Sequence, residues 1–292
     1  IPMYIEFAEN IKKYCPEAWV INYTNPMSVC TRTLYKIFPD IKAFGCCHEV
    51  FEVQKLLGHM LKEFKGIENV KREDVKVNVL GINHFTWFDR AYYKGLNLLP
   101  LYKKFADKYY DTGYGNWDVN SNPFGYAHRV KFDLFKRFGL IAAAGDRHIA
   151  EFCPKSWYLN DKETIKKWKF KITTVDYRRK RQKQKYEKSK KILKGKKDIT
   201  IKPSGEESLK QIMALLGLNE FITNVNLPNS GQMLDMPENV IVETNALFQK
   251  DNVQPLIAGR LPDNIQKLVS GAIYNQETII KAVLNKNKKL AF

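Results

Sequence analysis

The chain is 292 residues long, 44% hydrophobic and 27% charged, with a formal net charge of +17. This balance describes a globular protein with a buried core, in one large domain or two smaller ones. No apolar run reaches the roughly 20 residues of a membrane-spanning helix, and no signal-peptide pattern opens the chain. Five irregularly spaced cysteines (Cys15, Cys30, Cys46, Cys47 and Cys153) argue against a secreted disulfide framework and for a cytoplasmic setting.

The first residue, Ile1, falls directly into a helical pattern, with Met3, Tyr4, Phe7, Ala8, Ile11 and Tyr14 on one face. So abrupt a start predicts a segment upstream. Ala18 to Ile21 reads as a strand ending at Thr24-Asn25-Pro26, and Met27 to Phe38 as a helix. "IKAFG" is a second strand, running into Cys46-Cys47-His48. Glu49 to Phe64 is helical, with Val50, Val53, Leu56, Leu57, Met60, Leu61 and Phe64 on one face. "VKVNVLGINHFTWF" alternates at first, as a strand does, and reaches Asn83-His84. This α-β-α-β-α-β order predicts an α/β fold, a partial Rossmann-like doubly wound parallel sheet over residues 1–84.

Residues 85–292 read as an α+β substrate domain. Helical segments fill "NPFGYAHRVKFDLFKRFGLIAAAGDRHIAEF", and a helix follows from Glu206 to Leu216. Strands lie within 223–248, broken by turns at Pro228-Asn229-Ser230-Gly231 and Pro237-Glu238-Asn239, and a helix from Asn264 to Leu284 closes the chain. Between them, Tyr177 to Lys197 holds twelve Lys or Arg and one Glu. Such a run reads as a solvated helix or loop, or as an arm for nucleic acid or another polyanion. No zinc-finger spacing or RNA-binding signature accompanies it, which argues against nucleic acid.

In doubly wound sheets ligands bind beyond the carboxyl ends of the strands. Asn25, Cys47, His48, Asn83 and His84 each follow a predicted strand and so could share one crest. A thiolate and a neutral imidazole suit a divalent transition metal; Cys47 and His84 are the sharpest such pair, and each is also an ordinary packing residue. His48 adds a third ligand or a proton donor, and Cys46 points either into the core or out of it. Asn25 in "TNPMS" reads equally as a turn opener. "AGDRHIAEF" brings Asp146, Arg147 and His148 together beside a glycine, which suits proton transfer next to a polar ligand, or a helix capped by Asp146. Tyr126 and His128 in "FGYAHR" are further candidates, or core aromatics. No Gly-x-Gly-x-x-Gly phosphate turn exists in the sequence; "GYGNWD" at Gly113 imitates only its start.

"PEAWVINYTNPMSVCTRTLYKIFPDIKAFGCCHE" resembles the signature of glycoside hydrolase family 4, the NAD- and manganese-dependent glycosidases. The elements are Asn-Pro after an apolar strand, Thr31 five residues beyond that proline, the basic Lys42, then Gly and Cys-His. "GINHFTWF" resembles the family's second metal motif. "GDRHIAEF" and "NLPNSGQMLDMPENVIVET" resemble its C-terminal half, particularly the branch with α-galacturonidases and α-glucosidases. The resemblance implies a fold related to lactate and malate dehydrogenases, with Cys47 and His84 as ligands of Mn²⁺ or another divalent metal. It places Asn25 and Thr24 near NAD, and Asn25, Asn83, Arg147 and His148 near the sugar. His48 would lie at the substrate, and Asp146 would be the leading base with Tyr126 as the alternative. The family's cofactor loop lies upstream of Asn-Pro, in keeping with the abrupt start at Ile1.

Ordinary glycosidases use two carboxylates; family 4 departs from this. In its implied mechanism NAD⁺ takes a hydride from C3 of the sugar, and the resulting ketone acidifies the C2 proton. The metal stabilises the enolate, a base removes the proton, the C1 group leaves, water adds, and NADH returns the hydride. The implied partners are a small sugar and further copies in a dimer or tetramer. The basic charge and Arg147 favour an α-galacturonide, since arginine suits planar carboxylates; a neutral or phosphorylated hexose stays open. The rival readings are a 2-hydroxyacid dehydrogenase on the same fold, which leaves the Cys-His pair without purpose, and a non-catalytic polyanion-binding protein using Tyr177 to Lys197.

Overall fold

The structure is a computed structural model that describes residues 1–115, 124–199 and 205–291. Asn116 to Asp118 of "GYGNWD" and Asn122-Pro123 of the helical stretch lie outside the described residues. The chain opens with α1 (Pro2–Tyr14), β1 (Val20–Asn22), α2 (Met27–Ile37), β2 (Ala43–Gly45) and α3 (Glu49–Lys65). Then come β3 (Val75–Ile82), β4 (Phe85–Tyr93), β5 (Leu96–Asn97), α4 (Leu99–Tyr109), α5 (Arg129–Phe138), β6 (Ile141–Ala142) and α6 (Asp146–Phe152). Two short helices, α7 (Lys155–Tyr158) and α8 (Lys162–Lys167), lead to α9 (Val175–Leu193) and α10 (Ser208–Leu215). Strands β7 (Phe221–Pro228), β8 (Ile241–Gln249) and β9 (Asn252–Pro255) precede α11 (Asp263–Leu284).

The fold is α/β, with two sheets. The larger has the order β1-β2-β7-β8-β9. Strands β1 and β2 run parallel, with Ile21 opposite Phe44, and the β2–β7, β7–β8 and β8–β9 pairs are antiparallel. The helix between β1 and β2 supplies the crossover that a parallel pair requires.

One expectation needs correcting: β3 does not extend the parallel pair. It turns back at Asn83-His84 and pairs with β4, Ile82 opposite Phe85, in a second, antiparallel sheet that also holds β5 and β6. Alternation in the sequence announces a strand but not its partner, and the strand adjacent in sequence is the nearest one available. The two sheets meet where β3 lies against β8, with Asn245 Nδ2 donating to Val77 O at 2.7 Å.

The predicted apolar face of α3 is buried at Val50, Val53, Leu56, Leu57, Met60 and Leu61, and Gly66 ends the helix in the left-handed region at φ 65°. This face packs with Phe88, Tyr102, Phe105 and Phe132 against the second sheet. A separate core gathers Phe85, Trp87, Tyr158 and Phe170 with Ile265 and Val269 of α11. Each such side chain contributes about 1.5–3 kcal/mol by leaving water. Helix α9, like the short α8, has no buried residue. Among the described residues no helix is long and apolar enough to cross a membrane.

The β3–β4 hairpin that delivers His84 depends on Gly81. Its φ is +130°, and an added Cβ would sit 2.4 Å from Phe85 O. Gly81→Ala should therefore cost roughly 2–3 kcal/mol of stability in urea unfolding, from a backbone barred to L residues and a clash that only main-chain movement relieves. A loss below about 0.5 kcal/mol would contradict this reading of the hairpin.

Candidate active site

Because β1 and β2 are parallel, their carboxyl ends open on the same edge. β1 leads to Asn25 and β2 to Cys46-Cys47-His48, while the turn after β3 and the loop after β6 bring His84 and Gly145 against them. The result is a cavity of about 830 Å³, walled by Asn25, Cys47, His48, Glu49, His84, Tyr126, Arg147 and His148, with Arg178 contributed by α9. A second cavity of about 410 Å³ shares His84, Arg147, His148 and Arg178 and adds Asn83 and Glu151.

On the wall of the larger cavity, Glu49, His84 and His148 present ligand atoms within 4.8 Å of one another, and the two histidines also face the second cavity. His84 occupies the hairpin turn at φ 66° and stacks on His148, ring centroids 4.1 Å apart. Glu49 begins α3; its Oε2 accepts the Gly145 N–H at 2.7 Å, and its Oε1 lies 3.8 Å from His148 Nε2. Burial opposes ionisation of Glu49, but His148, the Gly145 N–H and His84 together hold its carboxyl below the ordinary value. Burial, His84 and Arg147 push His148 down to about 4, and burial, Arg147 and His48 lower His84. Both imidazoles are thus neutral at pH 7, and His148 Nε2 accepts from Arg147 Nε at 3.3 Å. One carboxylate and two neutral imidazoles form a donor set that fits Mn²⁺ or a similar divalent ion.

The structure brings most of the predicted residues to this cavity. Cys47 lines it but does not join the triad, and burial, with Glu243 nearby, pushes its thiol well up. Cys46 also reaches the wall, yet packs in the core and donates to Gln211 Oε1 at 3.2 Å. His48 stands exposed at the rim, Nδ1 3.0 Å from Glu206 Oε1. Asn25 is exposed there too, its Oδ1 accepting the Met27 N–H at 3.3 Å, so the turn-opener role is real. Thr24 lines neither cavity, and its N–H donates to Asn22 Oδ1 at 3.0 Å.

Asp146 is where the structure departs from the expected base. It is 0% exposed, outside both cavities, and both oxygens are engaged: Oδ1 with Lys131 Nζ at 2.8 Å, Oδ2 with the Val130 N–H at 3.2 Å. As the first residue of α6 it faces the core, whereas Arg147 and His148, one and two positions on, face the cavity. Tyr126 does stand on the wall, its ring 4.2 Å from the Lys131 ammonium.

The model of the family 4 glycosyl hydrolase C-terminal domain matches residues 79–292, and that of family 4 glycosyl hydrolases matches residues 1–63. The chain belongs to glycosyl hydrolase family 4. It is 54% identical to an alpha-galacturonidase of Thermoanaerobacterium saccharolyticum, over 100% of this chain and 63% of that protein. A solved Bacillus subtilis structure, described as the glucosidase LplD, superposes with a TM-score of 0.94 at 48% identity, over 100% of this chain and 67% of that one. A gut-microorganism 6-phospho-alpha-glucosidase solved with NAD and Mn²⁺ shares the fold at TM-score 0.74 and 19% identity, over 99% of this chain and 64% of its own. The chain spans 63–65% of the length of the alpha-galacturonidases it matches.

Three residues of this family 4 site escape a reading of the sequence. Glu49 looks like a helix-start acid, and Arg178 is one cation among many. Glu243 lies in the apolar strand "NVIVET", where a carboxylate at a buried position is the only signal. In the structure Glu243 accepts from Asn83 Nδ2 at 3.3 Å and from Asn224 Nδ2 at 2.7 Å, and Asn224 Nδ2 also reaches Cys47 O at 3.1 Å. Burial raises Glu243 to about 7. This one carboxylate therefore ties the Cys47 loop to the His84 turn.

Calorimetric titration of the full-length gene product with Mn²⁺ should show affinity falling at least ~100-fold in Glu49→Ala or His148→Ala. In Glu243→Gln, which replaces one acceptor oxygen by a donor, it should fall about 10- to 100-fold. Unchanged affinity in Glu243→Gln would contradict its positioning role. Since His148 gains its proton only near 4, binding should hold from pH 7 to about 5 and weaken below, as the imidazoles are protonated. Half-loss near an ordinary histidine value of about 6.5 would contradict neutral, buried ligands.

Proposed function

We propose that this chain forms the metal- and sugar-binding part of an α-galacturonidase. The observation that carries the reading is the pair Arg147 and Arg178, which share one wall with His84 and His148. Arg147 is partly buried, stacked 4.5 Å from the Phe124 ring, and burial lowers its pKa. A desolvated guanidinium at a cavity wall calls for a planar anion, and a sugar carboxylate supplies one. The alpha-galacturonidases that the chain resembles at 49–56% identity support the same class of substrate.

In this reading Arg147 and Arg178 fix the uronate carboxylate, while His48 and Asn25 border the sugar hydroxyls at the rim. Mn²⁺ held by Glu49, His84 and His148, with Cys47 beside them, would supply Lewis-acid polarisation of a sugar oxygen. Glu243 holds the two loops that carry those side chains. Tyr126 takes over the base role expected of Asp146. Burial, with Glu49, Asp146 and Glu52, pushes its phenol up and Arg147 opposes them, so the free chain keeps the proton on Tyr126. With the charge of Glu49 met by a ligand, the field that holds the proton on Tyr126 would weaken. Asp146 acts through Lys131, fixing the ammonium under the Tyr126 ring. This sequence carries no Gly-x-Gly-x-x-Gly turn of the kind that cradles a pyrophosphate.

The test is a panel of p-nitrophenyl α-glycosides with the full-length gene product, with NAD⁺, Mn²⁺ and a thiol reductant each omitted in turn. The α-galacturonide should be turned over at least ~100-fold more efficiently than the α-galactoside, which lacks only the carboxylate. Arg147→Gln should shrink that ratio about 10- to 100-fold, the worth of a charged hydrogen bond. Tyr126→Phe should lower kcat about 10²- to 10⁴-fold with little change in KM. Equal turnover of galactoside and galacturonide, or activity indifferent to Mn²⁺, would refute the proposal.

A further inference from the structure

We infer that α9 is an extended binding surface for an acidic oligosaccharide, the uronate chain whose terminal unit occupies the cavity; this rests on the galacturonide reading above. The helix is joined to the rim at its first turn. Thr174 caps it by accepting the Tyr177 N–H at 3.2 Å, Arg178 Nε donates to Thr173 Oγ1 at 3.2 Å, and the Tyr177 ring meets Phe124, the same ring that supports Arg147. Arg178 therefore belongs both to the cavity wall and to the start of the helix.

Beyond that turn the helix is largely exposed, with Ile192 half-buried. None of its residues is buried, and among the described residues none of its Lys or Arg side chains forms an ion pair. Arg178, Arg181, Lys185, Lys188 and Lys191 follow one another at intervals of three and four, the spacing at which like charges on a helix repel. A row of repelling cations gains from any polyanion that lies along it. A concavity of about 600 Å³ runs beside it, bordered by Lys180, Lys183, Lys188, Lys191 and Lys197 together with Gln184 and one carboxylate, Glu187. The 19-residue helix is about 28 Å long, long enough for several sugar units.

The occupant follows from where the row begins. It starts at the cavity wall, so a chain whose end is bound in the cavity emerges onto the helix. A polyuronate carries one carboxylate per sugar, matching a ladder of ammonium and guanidinium groups. An anionic membrane fits poorly: the apolar residues Val175, Tyr177, Tyr186, Ile192 and Leu193 form no continuous stripe to insert.

The experiment compares oligogalacturonides of two to five units with the aryl galacturonide, using the full-length gene product at 20 and 200 mM NaCl. The wild type is set against the variant carrying Lys183→Gln, Lys185→Gln, Lys188→Gln and Lys191→Gln. Binding of fluorescent pentagalacturonate, of tRNA and of phosphatidylserine vesicles is measured in parallel, and circular dichroism checks that the variant folds. At low salt, kcat/KM should rise at least ~10-fold from the dimer to the pentamer, and most of that rise should vanish at 200 mM NaCl and in the variant. Pentagalacturonate affinity should fall in step. Equal kcat/KM at every chain length, a rise that survives in the folded variant, or tighter binding of tRNA or vesicles than of pentagalacturonate would overturn the proposal. If the aryl galacturonide is hydrolysed without any length dependence, only the role of α9 falls. If it is not hydrolysed at all, the galacturonide reading falls and takes this inference with it.

Discussion

Everything at the site turns on one carboxylate held by one backbone N–H. Glu49 opens α3 on the β1–β2 side of the molecule, and the Gly145 N–H that grips it at 2.7 Å belongs to the loop after β6, in the other sheet. The three candidate ligands come from separate elements, Glu49 from α3, His84 from the β3–β4 turn and His148 from α6. The glycine is needed for closeness, since a Cβ at position 145 would stand 3.0 Å from Glu49 Oε2 and 3.1 Å from the Tyr126 ring. Burial then does the electrostatic work, by keeping both imidazoles neutral.

A second layer of buried polar groups stands behind this one. Asn83 and Asn224 both donate to Glu243, and Lys131 with Asp146 forms a pair whose side chains are 0% exposed. A buried ion pair adds little net stability, yet losing one partner leaves an uncompensated charge. Such groups do fix the orientation of the loops in front of them, which a ligand set requires.

Much of this was legible in the sequence, for physical reasons. The strands β1 and β2 and the face of α3 show in apolar periodicity. That the strand ends carry Asn25, Cys47 and His48 to one cavity follows from parallel topology, while His84 reaches it on the antiparallel β3–β4 turn. The pairing of β3 was not legible, because alternation is the same in parallel and antiparallel strands. Nor was the orientation of Asp146: a cluster such as "GDRH" shows which residues are neighbours, while the 100° turn per helical residue sends one inward and the next outward. Glu49 and Glu243 were hidden for opposite reasons, one as an ordinary first-turn acid and the other inside an apolar strand. Their partners Gly145, Asn83 and Asn224 are 96, 160 and 19 residues away.

The basic helix completes the picture electrostatically, since more than half of the net charge of +17 lies between Tyr177 and Lys197, beginning at the cavity wall. The metal itself is expected between Glu49, His84 and His148. Diffraction at the manganese absorption edge, from crystals of the full-length gene product soaked in Mn²⁺ and galacturonate, tests that placement directly. One strong anomalous peak is expected, bounded by the Glu49 carboxylate, His84 and His148, with the uronate carboxylate turned to Arg147 and Arg178. A peak that leaves Glu49 and His148 uncoordinated would contradict that placement.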